Sequence, residues 1–159
     1  MTAPLAPALL HALLDRMPVA RLAVVAEDGA PEALPIVFAR VHDTLFSPID
    51  GKPKAHARLA RLARIVAEPR VGLLLDHYAA DWRELWWLRL RAEAFADGGA
   101  HPLFAQAMAA LQAKYPQYRE TPLFKHEPCM IVLRWSDARW WAADGIAGLE
   151  RWLAWAAGV

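Results

Sequence analysis

Residues 21–49 read RLAVVAEDGAPEALPIVFARVHDTLFSPI, and the fold turns on how this stretch is divided. It opens on a short apolar run, residues 21–26, of strand type. Glu27-Asp28-Gly29 follows, and Asp-Gly marks a tight hairpin because glycine accepts the positive φ such turns require. Residues 32–41 then return as a second strand. Pro35 inside it has no N–H, so it demands an edge, a bulge or a place where no ladder donor is needed. His42-Asp43 makes another turn, and residues 44–49 form a third strand. Three strands joined by tight turns predict a meander.

Upstream, Leu9, Leu10, Leu13, Leu14 and Met17 share one helical face, giving a first helix that stops at Pro18. Downstream, Asp50-Gly51-Lys52-Pro53-Lys54 leads into a helix ending near Glu68-Pro69, with Leu59, Leu62, Ile65 and Val66 on one arc. Residues 71–78 (VGLLLDHY) are almost continuously apolar and predict a central strand. Residues 85–95 alternate Trp87, Arg89 and Arg91 against Leu88, Leu90 and Ala92, the period of a half-buried strand. A third helix spans 103–115, a sixth strand 129–135, and a short seventh 139–142 after a Ser136-Asp137 turn. Residues 146–157 close as a Trp-rich helix. The expectation is one mainly β domain over 1–159: an antiparallel barrel of six to seven strands with three to four helices.

Composition narrows the function. Hydrophobic residues make up 57% of the 159-residue chain and charged ones 22%, which excludes disorder. A formal net charge of +1 argues against a general nucleic-acid binder, so any cationic site must be local. Cys129 stands alone in an apolar strand, a core thiol that fits a cytoplasmic location. Residues 1–17 contain His11, Asp15 and Arg16 and read as an amphipathic helix, not a signal peptide. No run approaches the length of a membrane span, so no membrane partner is expected.

Several chemistries are missing. There is no glycine-rich dinucleotide fingerprint or P-loop, and neither Ser47 nor Ser136 sits in a nucleophile elbow. The six histidines show no metal-ligand spacing, and Asp76-His77 with Asp81 reads as hydrogen-bonding groups; no metal site is expected. What remains is Gly51-Lys52-Pro53-Lys54 followed by a helix carrying Arg58. Glycine permits close backbone approach, the lysines supply ammonium groups, and a helix N-terminus adds free N–H donors. These make an anion cradle; a solvated basic loop is the alternative reading.

The run Arg21-Leu22-Ala23, Asp28-Gly29-x-Pro31, Pro35-Ile36-Val37-Phe38, Asp43-Thr44-Leu45-Phe46, Asp50-Gly51-Lys52-Pro53-Lys54 and Leu74-Leu75-Asp76-His77-Tyr78 resembles the pyridoxamine 5′-phosphate oxidase-like superfamily. Asp81-Trp82-Arg83-Glu84-Leu85-Trp86-Trp87-Leu88-Arg89 and Lys114-Tyr115-Pro116 resemble its branch of F420-dependent oxidoreductases. The resemblance runs in order from about residue 19 to residue 142 and leaves 143–159 as a Trp-rich helical extension. It departs at Ala92, where glycine is common, and at Ala67-Glu68-Pro69, where Asn-Pro is usual.

The resemblance implies an FMN-binding type of split β-barrel, a homodimer with two cofactor sites at the subunit interface, and F420 or FMN as cofactor. It implies hydride transfer to a small organic substrate, or, as the alternative, a non-catalytic flavin- or tetrapyrrole-binding protein. Lys52 and Lys54 match the phosphate-holding positions, with Arg58 beside them. Pro35, Ile36, Val37, Phe46 and Ser47 match strands along the ring. Trp82 and Trp86 are pocket or interface candidates, Arg89 a candidate for a phosphate or substrate anion, and His77 and Tyr78 for a proton donor.

Overall fold

The computed structural model describes residues 3–49, 55–125 and 127–158, with the side chains of 55–59 left outside that description. The elements run α1 (Pro7–Arg16), β1 (Ala20–Val25), β2 (Pro31–Ile36), β3 (Ala39–Val41), β4 (Thr44–Pro48), α2 (Ala55–Ala67) and β5 (Arg70–His77). They continue with β6 (Trp86–Asp97), α3 (Phe104–Lys114), β7 (Met130–Ala142) and α4 (Gly145–Ala157). All ladders are antiparallel and form one seven-stranded sheet in the order β2-β1-β5-β6-β7-β4-β3.

The β1–β2 hairpin forms as expected, with Gly29 at φ 83° and Asp28 Oδ1 accepting from the Ala30 N–H at 3.0 Å. The meander does not. Residues 32–41 split into β2 and β3, which lie at opposite ends of the sheet, and β4 pairs with β3 and β7. The break has a local cause. The Phe38 N–H leaves the ladder to donate to the Tyr115 hydroxyl at 3.0 Å, while the Phe38 ring is fully buried. Pro35 is accommodated because β2 is an edge strand.

That break also curls the sheet. Ile36 ends β2 and Ala39 begins β3, so the two outer strands lie within three virtual bonds, roughly 11 Å, of each other there. No ladder joins them among the described residues, so the barrel is split at this corner. The Tyr115 hydroxyl pins it: it accepts from Phe38 N–H and faces the carbonyls of Phe38 at 2.8 Å and Pro18 at 2.9 Å.

A second correction concerns β7. The expected Ser136-Asp137 turn is a bulge within one continuous strand of 13 residues. Arg91 pairs with Asp137 and Ala92 with Trp135, so Ser136 is the extra residue.

The interior is filled by the inward residues Leu22, Leu73, Leu75, Leu88, Leu90, Ile131 and Leu133, with α1 and α4 adding Leu13, Leu14, Leu149 and Trp152. Each such leucine contributes about 1.5–3 kcal/mol. A second cluster forms outside the barrel, where α3 places Ala107, Leu111 and Tyr115 on Phe46, Met130 and Val132. Covered on both faces, Leu45 to Pro48 of β4 and Met130 to Leu133 of β7 are buried without alternation, and in β7 this shows as a continuous apolar run. On α2, Ile65 is buried while Val66, expected on the same arc, is 78% exposed. Among the described residues, no helix is long and apolar enough to cross a membrane.

Candidate functional site

The alternation of β6 sends Leu88, Leu90 and Ala92 inward and Arg89, Arg91 and Glu93 outward. On that outer face lies a groove of about 470 Å³, lined by Arg70, Gly72, Arg89, Arg91, Glu93 and Ser136 among others. The β7 bulge brings the Ser136 hydroxyl to it. Gly72 keeps its floor free of a side chain.

The charges in the groove are unequally satisfied. Arg70 is bound by Glu68 through contacts of 2.6 and 2.8 Å. That hydrogen bonding holds the Glu68 carboxyl down at about 2 and raises the Arg70 guanidinium. Arg89 lies over the Trp87 ring, 5.9 Å from its centroid, and has no carboxylate partner among the described residues. Arg91 has no partner among them either. Arg89 and Arg91 are two positions apart on one face of a strand, so their charges repel unless an anion lies between them. A planar fork of donors suits a phosphate or carboxylate.

Towards the other end of the same face the surface turns apolar. Leu74 pairs with Arg89, and the next outward pairs are Asp76 with Trp87 and Trp87 with Trp141. Leu74 is 37% and Trp141 43% exposed. From Arg91 to Trp87 is four residues, about 13 Å of strand. The face thus offers cations at one end and flat aromatic surface at the other.

The residues expected at the site fall into distinct groups. Val37 lies in the corner link, and Ala39 of β3 pairs with Phe46 of β4, so Pro35, Ile36, Val37, Phe46 and Ser47 gather around the split. Pro35 is exposed, Ile36 is buried, and Phe46 and Ser47 are closed inside the packing. Lys52 and Lys54 lie outside the described residues, as does the Arg58 side chain. Arg89 belongs to the groove, and β7 stands between its strand and β4. Within one chain, corner and groove are therefore separate places.

His77 ends β5 on its inward side, with its ring 6.0 Å from Trp152 and 5.9 Å from Trp155. Tyr78, just past the strand, is 75% exposed, and Trp82, in a short 3₁₀ turn, is 70% exposed. Trp86 is a core residue, packed edge-on against Trp152 at 4.7 Å. Asp76 pairs with Arg21 and Asp81 with Arg83, so both carboxylates near His77 are already engaged. Sequence reading passed over Arg91 and Ser136. The Arg89-x-Arg91 alternation was the available signal for the first; a bulge residue carries none.

No protein-family model matches the sequence, and no curated protein does. Solved structures do match. A conserved protein of Mycobacterium tuberculosis is 14% identical at a TM-score of 0.66, covering 88% of this chain and 86% of its own. HutZ, the haem storage protein of Vibrio cholerae, is 17% identical at 0.63, covering 88% and 95%. A Listeria innocua protein proposed to be a pyridoxamine 5′-phosphate oxidase is 17% identical at 0.55, covering 82% and 93%. These likenesses establish the fold: the chain is built as a pyridoxamine 5′-phosphate oxidase-like split barrel.

Proposed function

We propose that this chain works as a homodimer that holds FMN or F420 between the corner of one copy and the arginine groove of the other, transferring hydride between the cofactor and a small organic substrate. The observation that carries the reading is that Arg89 and Arg91 share one groove with no ion-pair partner among the described residues, and that Leu74, Trp87 and Trp141 lie further along the same face. The residues fit the cofactor: Arg91 and Ser136, with Arg89 beside them, suit a phosphate, and Trp87, about 13 Å along the strand from Arg91, suits a ring together with Trp141. Lys52, Lys54 and Arg58 are proposed to hold phosphate from the corner side, where the exposed Pro35 and the half-buried Val37 are proposed to meet the ring and the buried Ile36, Phe46 and Ser47 to support the strands behind them.

A second copy resolves the separation of corner and groove. The outer face carries Ala33, Ala23 and Gly72 in one row across β2, β1 and β5, with the Arg21–Asp76 pair beside it and the Arg139–Asp137 pair beyond β6. Small residues permit close approach of two sheets, and flanking charges of both signs are self-complementary. When bound, the cofactor supplies the hydride-accepting ring, so the protein's task is binding, orientation and exclusion of water. Tyr78 and His77 are the proton-donor candidates; His77 faces α4 and Tyr78 is the more exposed.

The test is the mass and absorbance spectrum of the ligand released from native protein, followed by titration of FMN and F420 into the stripped chain. Tight binding of either, weakened by Arg89→Gln and by Lys52→Ala, supports the proposal; affinity for neither overturns it. The likeness to HutZ favours a second reading, a tetrapyrrole-binding protein without turnover. A haem spectrum with no affinity for FMN or F420 would select it.

A further inference from the structure

A separate cleft of about 430 Å³ lies between α1, β3 and α3, lined by Asp15, Arg16, Ala39, Arg40, Ala110 and Lys114 among others. Its charges are arranged so that the lysine has no counter-ion. Both Asp15 oxygens are taken by Arg40, at 2.9 and 2.6 Å, and Arg40 also donates to the His42 carbonyl. Lys114 Nζ donates to the Leu14 carbonyl at 2.9 Å and lies 3.8 Å from the centre of the Phe38 ring. Arg16 has no partner among the described residues. The groups facing the amine are Asp15 and Arg16 from α1, Arg40 from β3, and the Tyr115 ring at the end of α3.

We propose that this cleft is a second small-molecule site, in which the Lys114 amine condenses reversibly with a small carbonyl compound bearing a carboxylate. A desolvated lysine beside another cation is an activated amine nucleophile. A neutral amine that gives one N–H to Leu14 keeps its lone pair for attack. Burial is the main cause of the Lys114 pKa falling to about 7, with Asp15 opposing and Arg40 adding to it. Arg16, which lines the cleft and has no ion pair among the described residues, forms the anion-holding wall, while Arg40 is held by Asp15. The nitrogen adds to the carbonyl carbon and the carbonyl oxygen is protonated. The resulting carbinolamine loses that oxygen with both amine hydrogens as water, leaving an imine. No oxidant or reductant is required.

The chain has four lysines, Lys52, Lys54, Lys114 and Lys125, which makes the test selective. Full-length protein is incubated just above neutral pH with glyoxylate and cyanoborohydride, which reduces an imine to a stable secondary amine, and adducts are located by peptide mass mapping. Lys114 is expected to be labelled ahead of the other three. The Lys114-to-Lys125 ratio should be higher with glyoxylate than with propanal, which lacks the carboxylate, and Arg16→Gln should narrow that difference. Lys114 unlabelled, or labelled no faster than Lys125, overturns the site; equal ratios for the two aldehydes overturn its anion wall. Because the wild-type chain is the substrate, no variant needs to fold for the result to count. Arg89→Gln should leave this labelling unchanged, so the outcome is independent of the cofactor proposal.

Discussion

At the scale of single residues, Tyr115 and Lys114 connect α3 to the corner of the barrel. Removing the Tyr115 hydroxyl leaves the Phe38 N–H buried without a partner, and an orphaned donor costs about 1–3 kcal/mol. Tyr115→Phe should therefore lower stability by that amount in urea unfolding; no change would mean the hydroxyl does not hold the corner. Both groups also make stability depend on pH. Burial raises Tyr115 to about 12 and lowers Lys114 to about 7. Between pH 7 and the ordinary lysine value of 10.5, the unfolded chain binds a proton at Lys114 that the folded chain does not, so stability should rise with pH. From the ordinary tyrosine value of 10.0 an opposing slope sets in, because the folded chain retains the proton at Tyr115, and above 10.5 it alone remains and stability falls. Lys114→Met should flatten the rise below pH 10 and spare the fall above it, as read from unfolding midpoints across that range. Neither role was legible in the sequence. A helical lysine or tyrosine shows its spacing, but not that α3 meets Phe38 and Leu14 at separations of 77 and 100 residues.

At the scale of elements, the strands were legible wherever alternation or an apolar run was clean: β1, β5 and β6 lie where the pattern puts them. The pattern failed where tertiary contacts set the boundary. Residues 32–41 carry one continuous strand signal, yet the Tyr115 hydroxyl competes for the Phe38 N–H and divides them. Ser136-Asp137 carries a turn signal, yet pairing with β6 on both sides absorbs it as a bulge. The C-terminal helix α4 showed its apolar face but not its target. Trp152 of α4 covers Trp86 at the end of the barrel, and neither indole N–H has a hydrogen-bond partner. Trp152→Ala should cost about 3–5 kcal/mol, the usual penalty for emptying a buried aromatic site. Trp152→Phe should cost much less, because it removes an unsatisfied donor together with part of the ring. Chemical denaturation of both variants compares the two effects. Equal losses would mean that the indole N–H is satisfied after all.

At the scale of the whole molecule, the fold separates what its proposed function must join. Corner and groove lie on opposite sides of β7, so the ladders of a single chain hold Phe46 and Arg89 on strands that are not neighbours. The two requirements, assembly and anion binding, can be broken independently. Ala23 is exposed on the outer face with only Ala33 and Gly72 as its cross-strand partners, so Ala23→Trp fills the small-residue area and blocks the close approach of two sheets in the proposed dimer contact. It should convert the dimer to monomers in sedimentation velocity and abolish FMN or F420 binding with it, while far-UV circular dichroism stays that of the wild type. Arg89→Gln removes a cation from the groove without touching the small-residue area, and should leave the dimer intact while weakening the cofactor by about 10-fold to 100-fold, the worth of one charge-assisted hydrogen bond. A monomeric Ala23→Trp variant that still bound cofactor would place the whole site within one chain. The groove would then have to reach Trp87 and Trp141 unaided, across a strip whose pairing with β5 and β7 is already fixed.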